Sequence, residues 1–135
     1  MNIDTRIKGE ITEMKCQLFC LEQGYIISKP ILDNARYDLL LDYNGKIYRI
    51  QIKTSRWKNE NKTGIIFNCY SVSNKKKHNY TKDEIDYFAT FWEGKCYLVP
   101  VEECSSEKTL WFEEKTNPSC CLAKDYDVLE VIKTL

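Results

Sequence analysis

The chain has 135 residues, 43% of them apolar and 30% charged, and its formal net charge is zero. That is one domain over residues 1–135, with enough apolar material for a real core but too short for an enzyme that carries a separate specificity module. The opening residues are charged and amphipathic and no apolar run is long enough to span a bilayer, so a cytoplasmic protein without a membrane partner is expected.

Asp4 or Thr5 can cap a helix in which Ile7, Ile11, Met14, Leu18 and Leu21 recur at helical spacing, and Gly24 is a natural stop. That apolar stripe is expected to face a sheet, with Glu10 within it or at its edge. A carboxylate there needs a partner, since burying an unpaired charge costs several kcal/mol. Residues 25–28 read as a short strand or connection. Runs 36–43 and 46–53 flank Asn44-Gly45, the strongest short-range signal for a two-residue hairpin. A polar, basic loop then leads to an apolar strand over 65–70, and another basic loop follows. Thr81 and Glu84 form a capping box for a short helix ending near Asp86. Residues 87–92 and 95–99 read as strands joined by Glu93-Gly94, 109–113 as another, and the last eleven residues as helix.

The hairpin arithmetic brings chemistry together. Tyr43 pairs with Lys46, Asp42 with Ile47 and Leu40 with Arg49, which puts Asp38 opposite Gln51 with Cβ atoms roughly 5 Å apart. Gln51 and Lys53 project to one side, Ile50 and Ile52 to the other. Asp38, the Gln51 amide oxygen and the Ile52 main-chain carbonyl could hold a magnesium ion, the hard cation that phosphodiester hydrolysis requires. Lys53 could hold the nucleophilic water or stabilise the pentacovalent phosphorus. An ordinary exposed hairpin face with a surface ion pair fits the same spacing. Glu10 tips the balance, as a third group of carboxylate type that can point at the metal.

Charge is uneven along the chain. Residues 46–82 carry Lys46, Arg49, Lys53, Arg56, Lys58, Lys62, Lys75, Lys76, Lys77 and Lys82 against Glu60 alone, a formal +9, while 1–45 sum to −2 and 83–135 to −7. The basic segment contains the proposed active strand, and its cations would supply salt-sensitive contacts to DNA phosphates. Arg49, Arg56, Lys58, Lys62, Lys75, Lys76, Lys77, Tyr80 and Lys82 are the candidate DNA contacts. Solvated lysine loops fit the run at 75–77 equally well, and Trp57 reads either as a DNA-facing aromatic or as a packing residue. Asp86 reads as a structural hydrogen-bond acceptor. The seven cysteines, Cys120 among them, include no Cys-x-x-Cys, and the only histidine is His78. Zinc knuckles and histidine-based nucleophilic catalysis are therefore disfavoured, and reduced core thiols with no disulfide-linked partner are expected.

Gly9-Glu10, Tyr37-Asp38 and Gln51-Ile52-Lys53-Thr54-Ser55 together resemble the PD-(D/E)XK endonuclease superfamily. The tract from Tyr80 to Ala89, followed by Tyr97-Leu98-Val99-Pro100, is similar to the branch containing group I intron-encoded homing endonucleases, and the resemblance covers about residues 4–100. It implies an α/β restriction-endonuclease-like domain, a mixed β-sheet flanked by α-helices. It implies Asp38 as the central metal-binding carboxylate, Glu10 as a helix-borne carboxylate binding metal directly or through water, and Lys53 as the catalytic lysine. Gln51 stands where many members carry Asp or Glu, a substitution the intron-endonuclease branch tolerates, and Tyr37 stands where Pro is common. An amide oxygen is a weaker ligand than a carboxylate, so these departures bear on metal affinity.

The expectation is a magnesium-dependent DNA endonuclease, with manganese able to substitute, first as a homing enzyme and alternatively as a Holliday-junction resolvase. A non-catalytic DNA-binding or assembly module that keeps the nuclease fold is the reading from another class. Cutting both strands with so small a chain implies a homodimer or homotetramer. Trp111 with Phe112, or Val128, Leu129, Ile132 and Leu135, are the candidate interfaces.

Overall fold

The computed structural model describes residues 3–113 and 121–135; Cys120 lies outside them. Asp4 caps helix α1 (Thr5–Glu22), its carboxylate accepting the Arg6 amide at 2.7 Å. The helix closes where Gly24 takes φ +78° and the Tyr25 amide turns back to the Cys20 carbonyl at 2.9 Å. There follow β1 (Ile26–Ser28), β2 (Leu39–Tyr43), β3 (Lys46–Ile52), β4 (Arg56–Trp57), β5 (Gly64–Asn68), β6 (Tyr70–Ser73), β7 (Lys76–Asn79), β8 (Tyr87–Trp92), β9 (Lys95–Pro100), β10 (Glu107–Trp111) and the short helix α2 (Val128–Val131).

The main sheet has five strands in the order β1-β2-β3-β8-β9, with β3 and β8 parallel and every other neighbouring pair antiparallel. A three-stranded sheet, β10-β5-β4, and the β6–β7 hairpin complete the architecture. Strand alternation sorts the core onto two sides of the main sheet. Leu39, Leu41, Ile50, Ile52, Ala89, Cys96 and Leu98 form one cluster with Cys16 of α1 and with Val128 and Ile132. Phe88, Tyr97 and Val99 point the other way, into a cluster with Ile65, Phe67 and Leu110 of the smaller sheet. A mixed sheet with α1 and α2 on its flank is the expected α/β architecture.

The central hairpin has the expected register, Tyr43 against Lys46, Asp42 against Ile47 and Leu40 against Arg49. Asn44 and Gly45 both adopt positive φ, 51° and 78°, as a two-residue hairpin turn demands. Regular pairing stops at Leu39 with Ile50, however, and the Asp38 amide donates to that same Ile50 carbonyl at 2.8 Å. The ladder steps there, so Asp38 does not meet Gln51 as a regular cross-strand pair.

Helix α1 is turned the other way from the sequence expectation. Its buried residues are Thr12, Cys16 and Cys20, whereas Ile7, Ile11, Met14, Leu18 and Leu21 are exposed. The most closely packed positions carry small residues, and Phe19 packs partly buried beside them against the same cluster. Other boundaries shift as well. The capping pair does form, Glu84 accepting the Thr81 amide at 3.0 Å, but residues 82–84 make a turn and no helix follows. The run expected as one strand breaks into β5 and β6. Residues 70–79 close a second hairpin over Asn74 and Lys75, both at positive φ, 52° and 62°. The tail is helical only in short pieces, and Val128 and Ile132 are buried in the core, which removes them as interface residues; Phe112 and Leu129 stay exposed.

Candidate active site

Asp38 enters the sheet just before β2, and its Oδ2 accepts the Ile52 amide at 2.8 Å. That bond ties the carboxylate to the last residue of β3. Ile50 and Ile52 are buried on the α1 side, so Gln51 and Lys53 belong to the opposite face. The Lys53 amide donates to Ala89 of β8 at 2.8 Å, which keeps the chain on the sheet for one residue beyond the strand. Lys53 Nζ donates to the Tyr70 carbonyl at 2.8 Å and lies 5.1 Å from the Tyr80 ring centroid.

Burial pushes the Asp38 carboxyl up to about 6, against the lowering effect of the Ile52 amide; the Glu13 and Asp33 charges raise it further and Lys53 opposes them. Burial pushes the Lys53 ammonium down from the ordinary lysine range, and the Asp38 charge counteracts this. The pair is thus an under-neutralised carboxylate beside a partly desolvated cation, the electrostatic setting for holding a positive ion next to a proton donor.

Glu10 is exposed on α1 but lines the same cavity of about 230 Å³ as Asp38, together with Glu13, Lys29, Asp33 and Tyr37. Glu13 was missed from sequence. It lies almost one turn after Glu10, is partly buried, and pairs with Lys29 at 3.6 Å. Its charge, rather than that of Glu10, is the carboxylate field that Asp38 feels most. The available signal was its place beside Thr12 and Cys16, the face that turned out to pack on the sheet. Arg36 was missed too. Its guanidinium donates to Glu84 at 2.8 Å, to Ser71 Oγ at 2.6 Å and to the Asn79 carbonyl at 3.1 Å, and stacks 3.8 Å from the Tyr80 ring. It pins the β6–β7 hairpin to the segment entering β2. Nothing in its spacing announces this.

The candidate DNA contacts divide. Lys75, Lys76 and Lys77 are exposed at the end of the β6–β7 hairpin, and Lys58, Lys62 and Lys82 are exposed elsewhere. Arg49 is engaged within the chain: it pairs with Asp86 at 3.3 Å and donates to the Lys82 and Asp83 carbonyls at 2.9 and 2.5 Å, so its donors are committed to folding the 82–86 turn. Arg56 is paired with Glu107 at 2.9 Å on the smaller sheet. Tyr80 lies under Arg36 and edge-on to Phe88 at 5.3 Å, a support for the site and not an exposed contact. Trp57 is a packing residue, 4.8 Å from Trp92 in an edge-to-face pair. Cys16, Cys20, Cys69 and Cys96 are buried and form no disulfide among the described residues.

Residues 3–129 match the PD-(D/E)XK endonuclease family. The chain belongs to that family, and it is a nuclease by class. No curated protein matches it. Among solved structures it is similar to a bacterial homing endonuclease, I-Ssp6803I, at 20% identity, with 98% of this chain and 95% of that chain covered and a TM-score of 0.77. The likeness establishes the fold.

Endonucleases of this family typically use divalent metal ions. The chemistry of the residues present fits one: Asp38 Oδ1 carries no hydrogen bond from the described residues, and the carboxylate is short of positive charge. Among the described residues no three acidic, His or Cys side chains converge as a ready cage. A hard cation here would be held by few protein oxygens and completed by water or phosphate, as magnesium commonly is.

Proposed function

We propose that this chain is a magnesium-dependent DNA endonuclease, with manganese able to substitute, that hydrolyses phosphodiester bonds in the manner of a homing endonuclease. The observation that carries the reading is the join of Asp38, bonded to the Ile52 amide, with the half-buried Lys53 at the end of the same strand. Asp38 is the central metal ligand, with the Gln51 amide oxygen and the Ile52 carbonyl beside it. Glu13 and Glu10 complete the acidic wall, directly or through water. The bound ion supplies charge to the phosphate and acidity to a water molecule.

Lys53 orients the attacking water and stabilises charge on the phosphate oxygens from a site where burial strengthens each interaction. The exposed lysines of the β6–β7 hairpin, with Lys58, Lys62 and Lys82, grip the backbone of the duplex. Two or four copies of this single domain work together so that both strands are cut. The protein acts on DNA inside the cell, in the cytoplasm.

The test is cleavage of plasmid and four-way-junction DNA with magnesium, comparing wild type with Asp38→Ala and Lys53→Ala. Metal-dependent cutting that falls by about 10²-fold or more in both variants is expected, with linear duplex preferred over the junction. Preference for the junction would replace the homing reading by a resolvase. Salt-sensitive binding without cutting, equal in all three proteins, would leave a DNA-binding module.

A further inference from the structure

We infer that the outer face of α1 is a helix-to-helix interface that a second copy of this chain covers, the two helices running parallel. This rests on the assembly of copies proposed above and names the surface that makes it.

Ile7, Ile11, Met14, Leu18 and Leu21 are 54%, 37%, 63%, 57% and 59% exposed. Their spacing alternates four and three residues along the whole helix. That is the seam of two helices wound together, which needs an apolar residue every 3.5 positions, and it is narrower than the stripe a helix lays on a sheet. The sheet-facing side of α1 is separately satisfied by Thr12, Cys16 and Cys20. The chain therefore has one helix with two burying faces, and its own fold uses only one.

The size is also that of an interface. Five half-exposed aliphatic side chains in one row leave on the order of 500 Å², near the upper end of what a monomer keeps in a single patch; with flanking residues the row approaches the ~800 Å² that each partner of a stable pair contributes.

Charge selects the occupant and its direction. One flank of the seam carries Lys8, Lys15 and, at its end, Glu22, on the side that borders Phe91, Trp92 and Thr54, with the Lys15 ammonium 5.6 Å from the Phe91 ring centroid. The other carries Glu10 and Gln17. An antiparallel copy would set Lys15 against Lys15 at the centre of the seam, offset only by Lys8 against Glu22 at its ends. A parallel copy has no like-charge contact and sets Glu10 of each chain beside Lys15 of the other, twice by symmetry. An unrelated apolar partner would have no reason to match both the spacing and this division of charge.

Sedimentation equilibrium on the full chain tests this with wild type, Leu18→Glu, Lys15→Glu and the double variant Glu10→Lys/Lys15→Glu, with circular dichroism recorded on each. Wild type is expected to dimerise or to form a larger even assembly. Leu18→Glu should raise the dissociation constant by about 100-fold or more while keeping the native spectrum, because Leu18 is mostly exposed and lies outside both core clusters. Lys15→Glu should weaken the pair severalfold and the double variant should restore it. A wild type that assembles, with Leu18→Glu assembling equally well, would overturn this surface and leave the multi-copy reading standing. An assembly that Lys15→Glu leaves unchanged, or that the double variant fails to restore, would overturn the parallel arrangement. A wild type that stays monomeric at about 100 µM would overturn both.

Discussion

One side of α1 offers the sheet Thr12, Cys16 and Cys20, and the other offers solvent a row of Ile, Met and Leu. The contrast separates two quantities that are easily treated as one, how strongly a side chain prefers to leave water and how closely its backbone can approach a packed surface. Cys16 packs into a cluster with Leu39, Leu41, Ile50, Ile52 and Ala89, with Phe19 partly buried beside it, so the most deeply packed inner positions are the small ones. Sequence periodicity measures only the first quantity, and for this helix it pointed to the wrong side.

Substitutions can break that contrast in order of size. Cys16 is 1% exposed with its thiol 4.0 Å from that of Cys96, so Cys16→Asp should cost about 3–5 kcal/mol in urea unfolding by burying an unpaired charge. The edge of α1 that carries Glu13 toward Asp38 should behave oppositely. Asp38 has a folded value of about 6, above its unfolded value near ~3.9. Its contribution to stability is therefore fully present below about pH 4 and lost as pH rises through about 6. Asp38→Asn should stabilise the metal-free protein at pH 7 by about 2 kcal/mol and change little at pH 4, as paired denaturation curves would record. Thr12 bonds the Lys8 carbonyl at 2.9 Å and Thr54 Oγ1 at 3.1 Å, so Thr12→Val should cost about 1 kcal/mol by the same assay. On the outer face, Leu18→Asp should shift the stability of an isolated protomer by less than about 0.5 kcal/mol, measured at a dilution where no assembly persists. A large loss there would mean that the outer row is part of the protomer core after all.

What was legible in the sequence follows the same division. The Asn44-Gly45 and Glu93-Gly94 turns fixed two hairpins because turn chemistry and strand alternation are local. The candidate residues could be named in advance because Gln51, Ile52 and Lys53 are consecutive and Asp38 is one hairpin away; the bond from the Ile52 amide to Asp38 is what the fold adds. Glu13 could not be, because its place beside Asp38 depends on which face of α1 packs. The β6–β7 hairpin was hidden as well: Asn74-Lys75 is a weaker turn signal than Asn-Gly, and the strand Lys76–Asn79 is polar throughout. The structural role of Arg49 depends on Asp86 arriving from the far side of a parallel crossover, which no local pattern encodes.

Lys53 Nζ holds the carbonyl of Tyr70, and Tyr70 is the first residue of the strand that leads out to Lys75, Lys76 and Lys77. Arg36 grips the same hairpin at Ser71 and Asn79 while its own backbone lies two residues before Asp38. The β6–β7 hairpin is therefore tied to the rest of the chain at Lys53 and just ahead of Asp38. Displacing that hairpin would displace the carbonyl that Lys53 holds.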